Sequence, residues 1–361
     1  MKNNDFHGEV WINAHEEILH DFVKANEVPI DGGYGNDGFS KLATELMQKN
    51  FKTPIYTTFT ISGTAANVMA MKAMLDRWSS IICAKQTHIN CYEAGAFEFN
   101  LGNKIITIDT FDGKINPELI ENCLIANRKY KYRPKVITMA QPTEFGTVYT
   151  NEELKAICDY AHARGMYVYI DGARIGNAVV ALGTNLKEMI EDTGVDGFSF
   201  GGTKAGAMFG EMIVLMRKEF AENLDYSQKQ SIQHMAKSKF LSVQIATVLR
   251  EKIWLKDAEK SNDAAKTLER KLREKGVKIY YPVQSNMVFC VIPPEKFTKV
   301  CEKYEMHYWE EATHVVRLAT TYLSAFSRQL RARQMEQGRR VRLWLSSPKI
   351  LSRYRSYLLA S

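Results

Sequence analysis

Two short apolar segments, each followed by a charged residue, constrain this chain more than any other feature. The first, at residues 166–170, is followed by Asp171, and the second, at residues 197–200, leads into a Gly-Gly-Thr-Lys sequence that ends at Lys204. Short apolar runs bounded by glycine are typical of buried strands. Ligands of α/β sheets bind beyond the carboxyl ends of the strands, so we expect Asp171 and Lys204 to face one site.

These two side chains suit one kind of chemistry. A partly desolvated lysine loses its proton readily and can form a Schiff base with an aldehyde. A carboxylate can keep a pyridine nitrogen protonated, which makes the ring an electron sink, so the pair suggests pyridoxal phosphate. Taken alone, Asp-Gly after a strand is usually a turn, and Gly-Gly-Thr-Lys is usually a surface loop that lacks the order of a P-loop. The interpretation therefore depends on the rest of the chain.

Composition is that of an ordinary globular protein. The chain has 361 residues, 45% of them hydrophobic, and we expect one large and one small domain. No apolar run approaches the roughly 18–20 residues of a membrane helix, and the N-terminus lacks the apolar core of a signal peptide. The six cysteines include no C-x-x-C pair, which argues against a zinc site or a disulfide framework. We expect a cytoplasmic protein without a metal site.

The net charge of +7 belongs to the C-terminal end of the chain. Residues 326–361 hold nine of the 48 Lys and Arg but one of the 41 Asp and Glu, so residues 1–325 carry 39 basic and 40 acidic residues. This balance predicts neither nucleic acid nor a membrane as a partner. The end of the chain is also rich in Arg and poor in Lys, which a shifted reading frame or an added segment would produce. A natural basic helix is the alternative.

Strand and helix signals alternate between residues 54 and 216. Strands are predicted at 54–61, 80–84, 104–108, 135–140 and 211–216, Pro117 suits the first position of a helix, and Thr150 with Glu153 fits a capping box. This alternation predicts an α/β fold with a largely parallel sheet and helices on both faces.

The first of these strands leads into Ser62-Gly63-Thr64 and then into a strongly helical segment. A helix N-terminus after a glycine-bearing turn presents free N–H groups and the positive end of a dipole, which together favour phosphate. Simple capping of the helix by Ser62 or Thr64 explains the same residues and stays open as an alternative.

After residue 216 the pattern changes. Residues 231–275 read as a long helical region, for which we expect a break near Ser261-Asn262, and short strands follow at 277–281, 286–292 and 315–319 around a helix at 295–304. We therefore divide the chain into an N-terminal segment (1–30) that packs with the small domain, a large cofactor-binding domain (31–245), a smaller α+β domain (246–325) and a basic tail (326–361).

Five motifs occur in one order: SGTAAN at 62–67, THINCYEAGA at 87–96, IDGARIGNAVVAL at 170–182, GGTKAGAMFGE at 201–211 and VVRLAT at 315–320. Over residues 10–325 the chain resembles the threonine aldolases, fold-type I pyridoxal-phosphate enzymes of the β-eliminating lyase group. The resemblance implies a large domain with a mostly parallel sheet of the seven-stranded type and a smaller α+β domain. It also implies a homodimer or homotetramer whose active sites are completed across a subunit interface.

The resemblance also implies roles for the residues at matching positions. Lys204 would bind the cofactor, Asp171 would face its pyridine nitrogen and His88 would stack on its ring, and these are the expected catalytic residues. The residues expected to hold the phosphate are Ser62, Gly63, Thr64 and Thr203. Arg174 and Arg317 would bind the substrate carboxylate, with Arg174 also beside the cofactor, and the remaining expected substrate residues are Thr143, Glu144 and Tyr34.

The reaction that the resemblance implies is aldol cleavage of a threonine-like or allo-threonine-like amino acid into glycine and an aldehyde. Two departures from the family pattern bear on it. Glu144 occupies a position where members often have histidine, and residues 6–11 lack the Ser-Asp pair common near that point. Glu144 could serve as a general base if its pKa were raised. β-Elimination and transamination stay open as alternatives, and a non-catalytic protein with this fold is a more distant one.

Overall fold

The computed structural model describes residues 6–29 and 31–324, so the predicted basic tail at 326–361 lies outside the described residues. The strands are β1 (Tyr56–Thr60), β2 (Ser80–Ala84), β3 (Lys104–Ile108), β4 (Pro134–Ala140), β5 (Tyr167–Asp171), β6 (Gly197–Gly201), β7 (Glu211–Leu215), β8 (Met287–Val291), β9 (Tyr308–Glu310) and β10 (Val315–Ala319). The α-helices are α1 (Glu16–Glu27), α2 (Gly38–Gln48), α3 (Gly63–Met74), α4 (His88–Cys91), α5 (Ala96–Leu101), α6 (Pro117–Asn127), α7 (Asn151–His162), α8 (Ile175–Leu182), α9 (Lys218–Ala221), α10 (Leu224–Gln230), α11 (Lys239–Arg250), α12 (Ile253–Glu274) and α13 (Pro294–Cys301).

Strands β1 to β7 form one sheet in the order β1-β7-β6-β5-β4-β2-β3. The pairs from β6 through β5, β4 and β2 to β3 are parallel, whereas β7 runs antiparallel to β6 and to β1. Every residue of β2, β6 and β7 is buried, as expected for strands that helices cover on both faces. The predicted α/β fold with a largely parallel seven-stranded sheet is confirmed.

A second, antiparallel sheet has the order β8-β10-β9. The predicted strand at 277–281 is reduced to one bridge between Ile279 and Cys290. The N-terminal segment pairs with the end of β10, the central strand of this sheet, because the backbone N–H of Ala319 donates to the carbonyl oxygen of Phe6 at 2.9 Å. The domain boundary placed at 245/246 falls inside α11 and stays a prediction. Within the described residues, no helix combines the length and the apolar character needed to span a bilayer.

The predicted break near Ser261-Asn262 is wrong. The helical region is interrupted at Lys252, where φ is +53°, and α12 then continues to its end at Glu274. Serine and asparagine disfavour helix interiors because their side chains compete for nearby backbone groups. Here Ser261 and Asn262 instead accept hydrogen bonds from the side-chain amide of Asn177 in α8, at 3.0 and 2.9 Å. A contact between distant helices overrides the local preference.

Asp37 connects the glycine-rich loop at 32–38 to two helices. Its buried carboxylate accepts hydrogen bonds from the backbone N–H of Ser40 (2.9 Å), the hydroxyl of Ser40 (2.8 Å) and the hydroxyl of Ser238 (2.6 Å). Burial alone would raise the pKa of Asp37, but the hydrogen bonds from Ser238 and Ser40 outweigh it and lower that pKa below its ordinary value. Asp37 is therefore an ionised N-cap of α2 that also holds Ser238, the residue that precedes α11.

Asp37→Ala should lower the free energy of unfolding by about 2–4 kcal/mol at pH 7, because α2 loses its cap and two buried serine hydroxyls lose an acceptor. Urea denaturation measures the effect. Thr150→Ala, which removes the capping box confirmed at the start of α7, is the matched control and should cost about 1 kcal/mol.

The effect of Asp37→Ala should depend on pH in one direction. Because the folded pKa of Asp37 lies below the unfolded value, its contribution is present above about pH 4 and is lost as the pH falls through the folded pKa. The difference between wild type and variant should therefore shrink in acid. Equal losses in the two variants, or a difference that does not shrink in acid, would contradict this account.

Candidate active site

The loop after β5 packs against the last residues of β6 closely enough to bring Asp171 and Lys204 to one edge of the sheet. A Cβ atom on Gly172 would lie 2.0 Å from the carbonyl oxygen of Ser199, and one on Gly201 would lie 2.3 Å from that of Ala173. Residues with a side chain are excluded at both positions, since these contacts involve backbone atoms that cannot rotate away. The charges of Lys204 and Asp171 interact across the loops, so the structure brings the two predicted residues together.

A chain of hydrogen bonds runs from Asp171 to His88. Asp171 accepts from the side-chain amide of Asn67 (2.9 Å) and from the backbone N–H of Ala173 (3.0 Å). The same amide of Asn67 donates to Glu93 (2.8 Å), and Glu93 contacts the Nδ1 atom of His88 at 2.8 Å. Sequence reasoning assigned no role to Asn67 or Glu93, although both lie inside the motifs that carried the family resemblance.

Burial and neighbouring groups together shift the pKa values in this network. Burial raises the pKa of Glu93. It would lower the pKa of His88, but the hydrogen bond to Glu93 and the charge of Asp171 outweigh it and raise that pKa. Ligand atoms of His88, Glu93 and Asp171 lie within 4.8 Å of one another, a spacing that a metal ion could use. The hydrogen bonds already link the three side chains, so the cluster is held together without one.

Lys204 lies in a turn of 3-10 helix, Thr203–Ala205, directly after β6. Burial, followed by the charge of Arg174, lowers the pKa of its amine. Among the described residues no carboxylate oxygen comes within 4.0 Å of the amine, although Glu211 at the start of β7 interacts with its charge. Burial raises the pKa of Glu211. Glu211 is a second buried acid inside a recognised motif that sequence reasoning left without a role.

The N-terminus of α3 presents unpaired backbone donors. Ser62 caps the helix, and its hydroxyl accepts from the N–H of Ala65 at 3.3 Å. In the described part of the chain the N–H groups of Gly63 and Thr64 have no acceptor, and the space beside the Cα of Gly63 is open. Thr203 immediately precedes Lys204, and its hydroxyl accepts from the N–H of Gly210 at 3.1 Å. These features are those of an anion site.

Glu144 lies in the turn after β4 and reaches the start of α4. Its Oε1 atom accepts from the backbone N–H of His88 at 2.5 Å. Burial, with the charge of Asp171 adding to it, raises the pKa of Glu144 to about 7. The hydroxyl of Thr143 is instead committed inside the turn, where it contacts the hydroxyl of Thr147 (2.7 Å) and the carbonyl oxygen of Asp112 (3.2 Å). Thr143 thus shapes the turn that presents Glu144.

The two predicted arginines differ in what they contact. Arg174 forms a two-point ion pair with Glu9, with both distances 2.9 Å. Arg317 lies on β10 with its guanidinium 4.8 Å above the ring of Trp309, and within residues 6–29 and 31–324 it has no ion pair. Burial, and then the charge of Arg174, lowers the pKa of Arg317. Arg317 is therefore a partly buried cation that no carboxylate of the described residues contacts directly.

In the single chain, Tyr34 lies apart from these residues. It is 51% exposed, has a φ of +58°, and stacks on His234 with ring centroids 4.3 Å apart. It borders a separate polar cleft whose walls include Thr57 and Lys229. Among the other predicted residues, Asp171 interacts electrostatically with Lys204, His88 and Glu144, and Arg174 interacts with Lys204 and Arg317. Helix α3, which Ser62 caps, is joined to Asp171 through Asn67.

Comparison with known proteins agrees with this geometry. A profile of the β-eliminating lyase family matches residues 29–293. A low-specificity L-threonine aldolase of Pseudomonas aeruginosa is 36% identical over 259 residues, which cover 71% of this chain and 75% of the relative. Another from Escherichia coli K12 is 25% identical over 297 residues, covering 80% of this chain and 86% of the relative.

Comparison with solved structures gives a threonine aldolase and a more distant enzyme of the same fold. The threonine aldolase of Leishmania major superposes with a TM-score of 0.82 at 28% identity and covers 87% of this chain and 93% of its own. An aspartate aminotransferase of Thermotoga maritima shares the fold, with a TM-score of 0.68 at 15% identity over 88% of this chain and 87% of its own. The chain therefore belongs to the β-eliminating lyase family, within the threonine aldolases, and has the fold of the fold-type I pyridoxal-phosphate enzymes.

Proposed function

We propose that the protein cleaves a β-hydroxy-α-amino acid of the threonine type into glycine and an aldehyde, with pyridoxal phosphate as its cofactor. The observation that carries the proposal is the position of Lys204 and Asp171 at the ends of adjacent strands. The lysine is half-buried, its pKa is lowered and it has no ion pair among the described residues, which is the state that favours covalent bonding to an aldehyde. Perturbed groups that converge in this way are typical of catalytic sites.

The surrounding residues fit the cofactor part by part. Asp171, fixed by Asn67, would accept from the pyridine N–H. The free N–H groups of Gly63 and Thr64, with the hydroxyls of Ser62 and Thr203, would bind the phosphate. His88, oriented by Glu93, would lie against a face of the ring, and Arg174 lines the same cavity as Lys204. When bound to the amino acid, pyridoxal phosphate supplies the electron sink for the bond that breaks at Cα.

Aldol cleavage also needs a base for the β-hydroxyl, and Glu144 meets the requirement. A catalytic base works best when its pKa lies near the working pH, and burial brings Glu144 to about 7. The N–H of His88 fixes one of its oxygens, which leaves the other for the hydroxyl. The hydroxyl proton passes to Glu144 as the Cα–Cβ bond breaks, the aldehyde carbonyl forms, and the bond electrons stay with Cα.

Arg317 would bind the carboxylate of the amino acid. A guanidinium matches a carboxylate with two parallel hydrogen bonds, and stacking on Trp309 restricts how its plane can turn. Because the donors of Arg317 have no acidic partner among the described residues, binding a substrate carboxylate would neutralise a charge that is otherwise partly buried.

The assembly we infer is a homodimer or homotetramer, in the cytoplasm, without a nucleic-acid or membrane partner. Tyr34 supports it, since this aromatic side chain is held in a left-handed conformation with half of its surface exposed. Tyr226, which borders the same cleft, is 70% exposed. Aromatic side chains are enriched at protein interfaces, and a second subunit would cover these two.

The proposed reaction is tested by its products. The purified protein, loaded with pyridoxal phosphate, is incubated with L-threonine, L-allo-threonine and other β-hydroxy-amino acids, and glycine, aldehyde, ammonia and keto acid are assayed together. Equal amounts of glycine and aldehyde are expected, and Lys204→Ala serves as the inactive control. Ammonia with keto acid as the main products would show elimination or transamination and overturn the assignment.

Glu144→Gln should lower kcat/KM for cleavage by about 10²–10³-fold, because an amide cannot take the hydroxyl proton. In the wild type, kcat/KM should rise with pH through about 7 as Glu144 ionises, and the variant should lack this limb. Glu144→His, which supplies another base with an ordinary pKa of about 6.5, should recover part of the rate. A Gln variant that keeps both the rate and the pH limb would exclude Glu144 as the base.

A further inference from the structure

Glu9 holds Arg174 in a buried, two-point ion pair. The Nε and Nη2 atoms of Arg174 each lie 2.9 Å from an oxygen of Glu9, and the two side chains are only 16% and 8% exposed. The side-chain amide of Asn286 also donates to Glu9, at 2.6 Å. Burial would raise the pKa of Glu9, but Arg174 outweighs it and lowers that pKa. Glu9 is therefore a fixed anion inside the site.

The backbone around Glu9 is fixed as well. Gly8 has a φ of +88°, and a Cβ atom there would lie 3.1 Å from the Cβ of Ala319 and 3.8 Å from Nη2 of Arg174. Phe6 accepts from the N–H of Ala319, and His7 forms a parallel bridge with the same residue. Because Ala319 is the last residue of β10, the strand that carries Arg317 also anchors the segment that carries Glu9.

Arg174 and Arg317 differ in whether a carboxylate of the described residues already occupies their hydrogen-bond donors. Glu9 occupies the Nε–Nη2 edge of Arg174, which is one of the two edges that can bind a carboxylate with two parallel hydrogen bonds. Arg317 has no ion pair among the described residues, and it interacts electrostatically with Arg174 and with Glu9. A substrate carboxylate that approached the occupied edge of Arg174 would meet a negative charge, whereas one that approached Arg317 would meet free donors.

We propose that Glu9 is a built-in counter-ion that withholds the Nε–Nη2 edge of Arg174 from the substrate, so that Arg317 is the principal anchor of the substrate carboxylate. The inference rests on the proposed amino-acid substrate and deepens it. Residue 9 then influences the affinity for the substrate, because a short neutral side chain there would free the Nε–Nη2 edge of Arg174 to bind the substrate carboxylate.

A double-mutant cycle between Glu9→Ser and Arg317→Ala tests the proposal. The probe is glycine, whose binding to the enzyme loaded with pyridoxal phosphate is followed by the change in cofactor absorbance, without turnover. Glu9→Ser should tighten glycine binding by about five- to tenfold, and Arg317→Ala should weaken it by about 100-fold in the wild-type background. With Ser at position 9, the loss from Arg317→Ala should shrink to about tenfold, because Arg174 then replaces it.

Two controls separate a local effect from a loss of structure. Glu27→Ser removes an exposed carboxylate from the same N-terminal segment, at the end of α1 where a negative charge is unfavourable, and it should leave glycine binding unchanged. The melting temperature and the cofactor spectrum of each variant report folding. If Glu9→Ser does not fold, Glu9→Gln removes the same charge with the least change in shape and enters the same cycle.

Two results would overturn the proposal. The first is additivity, in which Arg317→Ala costs the same with Glu and with Ser at position 9. The second is that Glu9→Ser weakens glycine binding as much as Arg174→Ala does, which would show that Glu9 positions Arg174 for the carboxylate. Additive effects in an enzyme that cleaves threonine contradict only this inference. Coupled effects in a protein that does not cleave it contradict only the proposed function.

Discussion

The close approach of the loop after β5 to the last residues of β6 is the interaction on which the rest of the site depends. The N–H of Gly201 donates to the carbonyl oxygen of Gly172 (3.2 Å), and the N–H of Gly172 donates to the hydroxyl of Ser199 (3.0 Å). A side chain at either glycine would push the loop after β5 away from β6. Asp171 and Lys204 would then no longer be held in their present relative positions.

Burial around this edge shifts the pKa values of acids and bases towards one another. It raises the pKa of Glu144 to about 7 and that of Glu211 as well, while it lowers the pKa of Lys204. Glu144 can therefore take up and release a proton near neutral pH, which a surface carboxylate cannot do. The cost of burying charge is offset where partners are fixed, as with Glu9 and Arg174, or by hydrogen bonds, as with Asp171.

Much of this arrangement could be predicted from the sequence because it depends on local patterns. Only short-range information is needed for the strand that ends at Asp171, for the strand that precedes the loop of Lys204, for the start of α6 at Pro117 and for the capping box of Thr150. The roles of the individual site residues rest on family resemblance and stay proposals. Inside the recognised motifs, Asn67, Glu93 and Glu211 could have been singled out as polar residues flanked by apolar and small ones.

Other features depend on contacts that local patterns do not contain. Glu9 lies 165 positions from Arg174 in the chain, so only the folded backbone shows that the two meet. The helix break at Lys252 has no adjacent glycine or proline that would predict it. The helix does not break at Ser261-Asn262, because the side-chain amide of Asn177 donates hydrogen bonds to both side chains. In each case tertiary packing decides between options that are locally similar in energy.

The most direct test of the account is to find which lysine bonds to the cofactor. The protein is saturated with pyridoxal phosphate, reduced with borohydride and digested, and the modified peptide is identified by mass spectrometry, with Lys204→Ala as the control. We expect one labelled peptide, containing Lys204, and no labelled peptide from the variant. Label on another lysine, or label that persists in Lys204→Ala, would contradict the claim that the loops after β5 and β6 form the active site.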